Sequence, residues 1–311
     1  MKKLWCLLLA CFLCLAVGCG KESDSSHKSH AFYTLTDAVG NEVVLERKPE
    51  KIILLAPSFL NIMHAVGGDF IAWANSPSEK PPDFAADKKT VGYTYQVNVE
   101  AIVSEKPDLV IGLKGLHSRL ADTMQQNGIP FMQLSVSSYQ EVMQAAEIFG
   151  DVTGHHEEGL QAAKKLENDM KTIVSAFPDK KYTCAILHGT PHSVTLEGRG
   201  TIATETAELL HIQNIFVMGS ATDMKLPPFS LESLAAKNPD IIFLTTMVMP
   251  GQQEGAFRKA LLEQPAWGQL KAVKEGRVYF LPQKLFLSSP GMDYPEALRY
   301  MAHVVYEDTD Q

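Results

Sequence analysis

The sequence predicts an α/β protein of two lobes, each built on a central sheet, joined by one long helix with a ligand cleft between them. Three features carry this prediction. Apolar runs such as Lys51-Ile-Ile-Leu-Leu-Ala56 and Tyr182-Thr-Cys-Ala-Ile-Leu187 read as strands buried on both faces. A weak repeat relates Glu100-Ala-Ile-Val-Ser-Glu-Lys-Pro-Asp-Leu-Val-Ile111 to Glu232-Ser-Leu-Ala-Ala-Lys-Asn-Pro-Asp-Ile-Ile-Phe243, with Glu, Pro and Asp coincident. Between the halves, Leu160, Ala163, Leu166, Met170 and Ile173 recur at helical spacing along His155 to Phe177.

The chain opens with Lys2 and Lys3, an apolar run from Leu4 to Val17, and Ala16-Val17-Gly18-Cys19. A positive start, a short apolar core and small residues before a cut make a secretory signal over residues 1–18. The run, roughly 14 residues, falls short of the about 20 needed to span a bilayer. Cys19 resembles the acylated cysteine of a bacterial lipobox, with Ala16 where Leu is usual. Lipidation there would tether the exported chain to a bacterial membrane, with one- and two-membrane envelopes both open. Residues 19–30, rich in Ser, Lys and His, read as a flexible tether.

From residue 31 the pattern is regular. Tyr33 to Asp37 and Glu42 to Glu46 alternate around Gly40-Asn41, as in a hairpin. The strand after Lys51 stops at Pro57, and Ser58 is placed to cap a helix running to Gly67-Gly68. Each half of the repeat reads as a short helix stopped before Pro, a turn at Pro-Asp, then a buried parallel strand. Glu157 and Glu158 sit in the first turn of the long helix, where carboxylates suit the helix dipole. The expected organisation is an N-terminal lobe over 31–153, a linking helix over 154–178 and a C-terminal lobe over 179–311. Small ligands usually occupy clefts between such lobes.

Composition narrows the function. Of five cysteines, Cys6, Cys11 and Cys14 leave with the signal and Cys19 would carry lipid, so Cys184 stays as a lone core thiol. A disulfide scaffold and a CxxC redox protein are thereby excluded. The formal net charge of −8 becomes about −10 once Lys2 and Lys3 are removed. That balance is the reverse of a nucleic-acid-binding footprint.

These segments resemble the helix-linked periplasmic binding proteins that serve ABC importers of haem, ferric siderophores and cobalamin. The resemblance rests on Thr36-Asp-Ala-Val-Gly-Asn-Glu-Val43, Lys51 to Pro57 and the two Pro-Asp units. It continues through Pro265-Ala-Trp-Gly-Gln-Leu-Lys-Ala-Val273 and Gly276-Arg-Val-Tyr-Phe-Leu-Pro282. It implies a monomer whose lobes hold one small molecule and present it to a membrane permease, with no chemistry done on the ligand and no catalytic cofactor.

Ligand contacts are expected on loops after strand ends. Ser58 and His188 stand on two such loops. Val91-Gly-Tyr-Thr-Tyr-Gln96 is similar to the segment from which haem-binding members supply an axial ligand, which makes Tyr93 and Tyr95 candidate iron ligands or stacking surfaces. Met247, in Thr245-Thr-Met-Val-Met-Pro250, stands where a relative has a histidine ligand, and either ligates iron or packs on the ligand. Haem propionates and siderophores are anionic, so Arg199 between two glycines, and Lys114 with His117 and Arg119, are candidate cations. The resemblance also places permease docking on an acidic residue of each lobe, here Glu254 and, in place of the glutamate expected near Arg119, Asp122.

Two other classes are weaker. His27 with His30, and His155 with His156, lack the dispersed ligand set of a metal site, which leaves a metal-ion-binding importer component as a lesser alternative. A secreted hydrolase would call for a G-x-S-x-G or H-E-x-x-H pattern, and neither occurs.

Overall fold

The computed structural model describes residues 31–76, 80–178, 180–190, 193–217, 228–246 and 265–306. Among these residues a hairpin and two larger sheets make up the strands. The hairpin pairs β1 (Tyr33–Thr36) with β2 (Glu42–Leu45), with Thr36 opposite Glu42 as the Gly-Asn turn requires. Asp37 closes the turn by accepting from Val39 N and Asn41 N.

The first sheet contains β3 (Ile52–Leu54), β4 (Ala72–Asn75), β5 (Lys89–Tyr93), β6 (Gln96–Val97), β7 (Leu109–Leu113) and β8 (Phe131–Leu134), in the order β6-β5-β4-β3-β7-β8. All neighbours are parallel except β5 with β6. Its helices are α1 (Ser58–Ala65), α2 (Val99–Ser104), α3 (Ala121–Gln126) and α4 (Tyr139–Thr153). Ser58 is not the cap of α1. Pro57 already has helical torsions, which draws the helix start one residue back, and Ser58 becomes a buried first-turn residue. At α4 the capping works fully: Ser138 and Glu141 each satisfy the other's backbone N–H.

The long helix α5 (His156–Ala176) starts and ends within two residues of its expected bounds. It buries Gly159, Ala162, Ala163, Leu166, Met170 and Ile173. Leu160 does not join that stripe and remains 41% exposed. The reason is the crossing with α4: a Cβ at Gly150 would lie 2.8 Å from Gly159 Cα, and one at Gly159 would lie 2.8 Å from Ala146 O. Backbone contact at Gly159 fixes the rotation of α5 and turns Leu160 outward.

The second sheet contains β9 (Tyr182–Thr190), β10 (Ser193–Leu196), β11 (Ile212–Asn214), β12 (Ile241–Thr246) and β13 (Val278–Leu281). Its order is β10-β9-β12-β13, with β11 beside the first half of β9. Helices α6 (Ile202–Leu209), α7 (Leu231–Lys237), α8 (Lys271–Lys274), α9 (Gln283–Phe286) and α10 (Tyr294–Tyr306) complete the described part. Cys184 lies fully buried in β9, and burial pushes its thiol pKa up, as suits a core residue. Among the described residues no helix is long and apolar enough to cross a membrane.

The sequence repeat is a structural one. Asp108 accepts from Glu50 N (3.0 Å) and Lys51 N (2.8 Å), at the entry to β3, the parallel neighbour of β7. Asp240 accepts from Thr183 N (2.9 Å) and Oγ1 (2.7 Å), at the entry to β9, the parallel neighbour of β12. The residues before the two prolines, Lys106 and Asn238, share the left-handed conformation at φ 49° and 44°. Partial burial works to raise the Asp240 pKa, but hydrogen bonds from Lys271 and Thr183 outweigh it and bring the carboxyl down to about 2.

One apolar core runs from Leu54 and Phe59 through α4 and α5 to Ile186, Phe243 and Met301, so both sheets rest on the same helices. Polar bonds close the joint. Asn61 donates to Pro290 O (2.8 Å) and accepts from Met292 N (3.2 Å), and Ser289 Oγ donates to Val136 O (2.6 Å). Tyr294 Oη lies 3.1 Å from Ser137 O and 2.6 Å from Glu205 Oε2. The phenol has one proton for two acceptors. The shorter bond, from Tyr294 Oη to Glu205 Oε2, takes the larger share of that proton. Burial raises the Glu205 pKa to about 7, with Glu141 and Glu208 adding to it against the bonds from Tyr294 and Tyr139.

Two outcomes follow from this frame. Gly159→Ala forces apart two backbones in contact and should destabilise the protein by about 1–3 kcal/mol in denaturant melts. Glu205 titrates higher in the folded protein than its ordinary 4.5, so its stabilisation is complete below that value and is lost as pH rises through about 7. Glu205→Gln should therefore flatten the decline of thermal stability between those pH values, and an unchanged slope would assign the decline to another group.

Candidate functional site

Two cavities lie between the lobes and meet at Ser289. The first, about 500 Å³, is walled by the exits of β7 and β8 (Leu113, Lys114, Leu134 to Ser137) and, across from them, by His188, Glu197 and the turn at Gly200 to Ile202. The second, about 410 Å³, is bounded by the inner face of α1, by Trp73 and Asn75 of β4, by Lys80 to Pro82, and by Lys284 to Asp293. Both fall in the size range of small-molecule sites. In the first sheet the chain leaves β3 toward β4 on one side while β7 lies on the other, and parallel sheets offer ligands a crevice at such a reversal.

The walls have distinct chemistry. In the larger cavity Lys114 is exposed, with Leu113, Leu116 and Phe286 as apolar surface. In the smaller one His64 stacks on Phe84 at 4.2 Å between ring centres and 4° between planes. Trp73 is 2% exposed, and its Nε1–H has no acceptor among the described residues, so it is a donor set into the wall. Lys80 and Lys284 add positive charge.

A three-residue chain of hydrogen bonds backs the C-terminal side, with His188 and Glu197 at the cavity wall. Parallel pairing sets His188 of β9 opposite Thr245 of β12. His188 Nδ1 lies 3.0 Å from Thr245 Oγ1, whose hydroxyl donates to Glu197 Oε1. Thr245 is fully buried and Glu197 is 8% exposed. Glu197 is itself held, its N–H donating to Ile186 O at 2.9 Å and its carbonyl accepting from Asn214 Nδ2 at 3.0 Å.

The structure brings together some of the residues singled out from sequence and separates others. Lys114 and His188 face one another across the larger cavity, and Ser58 lines the smaller one. Tyr93 and Tyr95 sit on the β5–β6 hairpin, 50% and 59% exposed, and line neither cavity. Thr94 between them points inward, and its carbonyl accepts from His117 Nε2 at 2.8 Å. His117 therefore does not belong to a basic cluster. It is buried, its Nδ1 accepts from Leu113 N at 2.8 Å, and burial above all, with Arg119 in support, keeps its pKa below the ordinary value against the bond to Thr94. It is a neutral strut between β7 and the tyrosine hairpin. Arg199 turns from both cavities to pair with Glu208 at 3.2 Å and to donate to Val217 O. Asp122 is exposed in the first turn of α3, while Met247, Glu254 and Cys19 lie outside the described residues.

Sequence reasoning missed the partners of His188, the Tyr294–Glu205 bond and Trp73. Only Trp73 carried a local signal, a tryptophan in a short apolar strand. The others are assembled from residues far apart in the chain.

A family model described as periplasmic binding protein matches residues 52–285. The uncharacterised ABC transporter substrate-binding lipoprotein YvrC of Bacillus subtilis (strain 168) is 28% identical, with 99% of each chain covered. The Fe(3+)-citrate-binding protein YfmC of the same organism is 25% identical over 88% of this chain and 86% of its own. A crystal structure of an ABC transporter substrate-binding protein from Listeria monocytogenes EGD-e superposes with a TM-score of 0.75 at 26% identity, covering 84% of this chain and all of that one. With two lobes, a cleft between them and a family match over most of its length, the chain belongs to the periplasmic binding proteins that serve ABC importers as substrate-binding components.

Proposed function

We propose that the protein captures an iron complex, haem or a ferric siderophore, outside the cytoplasm and delivers it to an ABC permease while anchored to the membrane through lipid on Cys19. The observation that supports this most is the composition of the cleft. Lys114, Lys80 and Lys284 supply cations for carboxylate-bearing ligands, and apolar and aromatic surface flanks them. The likeness to a ferric-citrate-binding relative points the same way. Cobalamin, which asks for fewer cations, is the second reading, favoured by the Trp73 and His64–Phe84 surfaces. The protein acts as a monomer, and permease docking falls to one acidic residue of each lobe, Asp122 and Glu254. A rim charge of that kind sets association rate more than affinity.

The test is a visible-absorption titration of the protein beginning after Cys19 with hemin, ferric citrate and cyanocobalamin. Saturable one-to-one binding of an iron complex is expected, weakened about tenfold by Lys114→Glu, equivalent to about 1.4 kcal/mol. Binding of cyanocobalamin alone would keep the importer role and replace the ligand. Turnover of a ligand into product would overturn the binding role itself.

A further inference from the structure

We propose that His188 Nε2 is a metal ligand for the bound molecule, with its lone pair aimed by the Thr245–Glu197 pair. The inference rests on the iron-complex reading above and adds to it the atom that would touch the metal. Thr245 has one hydroxyl proton and donates it to Glu197 Oε1. Its oxygen can then only accept from His188, so the imidazole proton sits on Nδ1. Nε2 is left as a bare lone pair on a ring that lines the larger cavity. Among the described residues nothing is bonded to it.

The arrangement has the form of an outer support to a metal-binding histidine. Histidine ligands commonly donate their second N–H to an acceptor backed by a carboxylate, which fixes the tautomer and increases the basicity of the ligating nitrogen. Here the support is rigid. Thr245 and His188 are register partners in the parallel centre of the sheet, and Glu197 is bound at both backbone ends. A purely structural histidine would spend both ring nitrogens inside the protein, as His117 does with Leu113 N and Thr94 O. His188 spends one.

The geometry also selects the kind of metal. A single imidazole provides a single bond. That suits a metal that arrives already chelated with one position open or exchangeable, such as the iron of haem. Lys114 on the opposite wall can meet an acidic group of the same molecule.

Two measurements decide the matter. In the ligand-free protein, long-range 15N–1H NMR should show His188 protonated on Nδ1. A proton on Nε2 would overturn the assignment whatever the cargo. Hemin added to the wild-type protein should then give a histidine-ligated Soret spectrum that is lost in His188→Ala and restored by free imidazole. Thr245→Val should leave the stoichiometry and weaken binding about tenfold, the usual effect of losing an outer partner. If His188→Ala fails to fold, His188→Gln gives the same reading without the rescue. A wild-type spectrum in either His188 variant, unweakened binding in Thr245→Val, or no hemin binding by the wild type overturns the proposal. Binding of ferric citrate or cyanocobalamin in the same series would show that the importer role survives that failure.

Discussion

Helices α4 and α5 touch through Gly150 and Gly159, where a Cβ on either residue would strike backbone of the other helix. Much else depends on that contact. It sets the rotation of α5, so that Ala162, Leu166, Met170 and Ile173 face the shared core and Leu160 faces water. Because the core is continuous from β3 to β12, a shift at the crossing would be felt in both sheets. The cavities lie between surfaces whose spacing is fixed by a backbone contact, which has no rotamers to relax. The joint is correspondingly stiff, and clamps such as Asn61 on Pro290 and Met292 tie the last third of the chain back onto the first lobe.

The fold was legible in sequence where a local rule carried it. Apolar runs gave β3, β9 and β12; helical spacing gave α5; and Pro-Asp marked the repeat. The repeat also shows why such a weak signal could be trusted. Asp108 and Asp240 do the same work, each holding the start of the neighbouring parallel strand, and Lys106 and Asn238 make the same left-handed turn before proline. Glycine and asparagine are favoured in that conformation, so its occurrence at Lys106 shows surrounding structure imposing the turn. The Ser58 cap failed because Pro57, whose ring fixes φ near the helical value, can itself begin the helix.

The site was less legible, for a different reason. Flanking glycines made Arg199 look approachable, yet the guanidinium found Glu208 nearby in α6. Lys114 and His117 are three residues apart and looked like one charged patch. The turn after β7 exposes the first and buries the second. Sequence spacing gives direction only inside regular elements, and a loop has no period from which to read it. The His188–Thr245–Glu197 chain is a stronger case. Its members come from β9, β12 and the end of the β9–β10 hairpin, and they meet only after strands far apart in sequence have paired in register.

That dependence gives the second sheet a further role. A shift of β12 by one residue against β9 would turn Thr245 to the other face and strip His188 of its partner. The register is held from the opposite end of the same strands, where the Asp240 carboxylate accepts two hydrogen bonds from Thr183 and a third from Lys271. His188 stands five positions after Thr183 and Thr245 five after Asp240, so the clamp at the base and the hydrogen-bonded pair at the rim are fixed by one alignment. The buried strands between them, Cys184 to Leu187 and Ile241 to Leu244, carry no polar side chain and transmit that alignment by packing alone. The Pro-Asp unit, recognisable from sequence as a turn, thus acts at a distance as the element that sets the chemistry of the cleft.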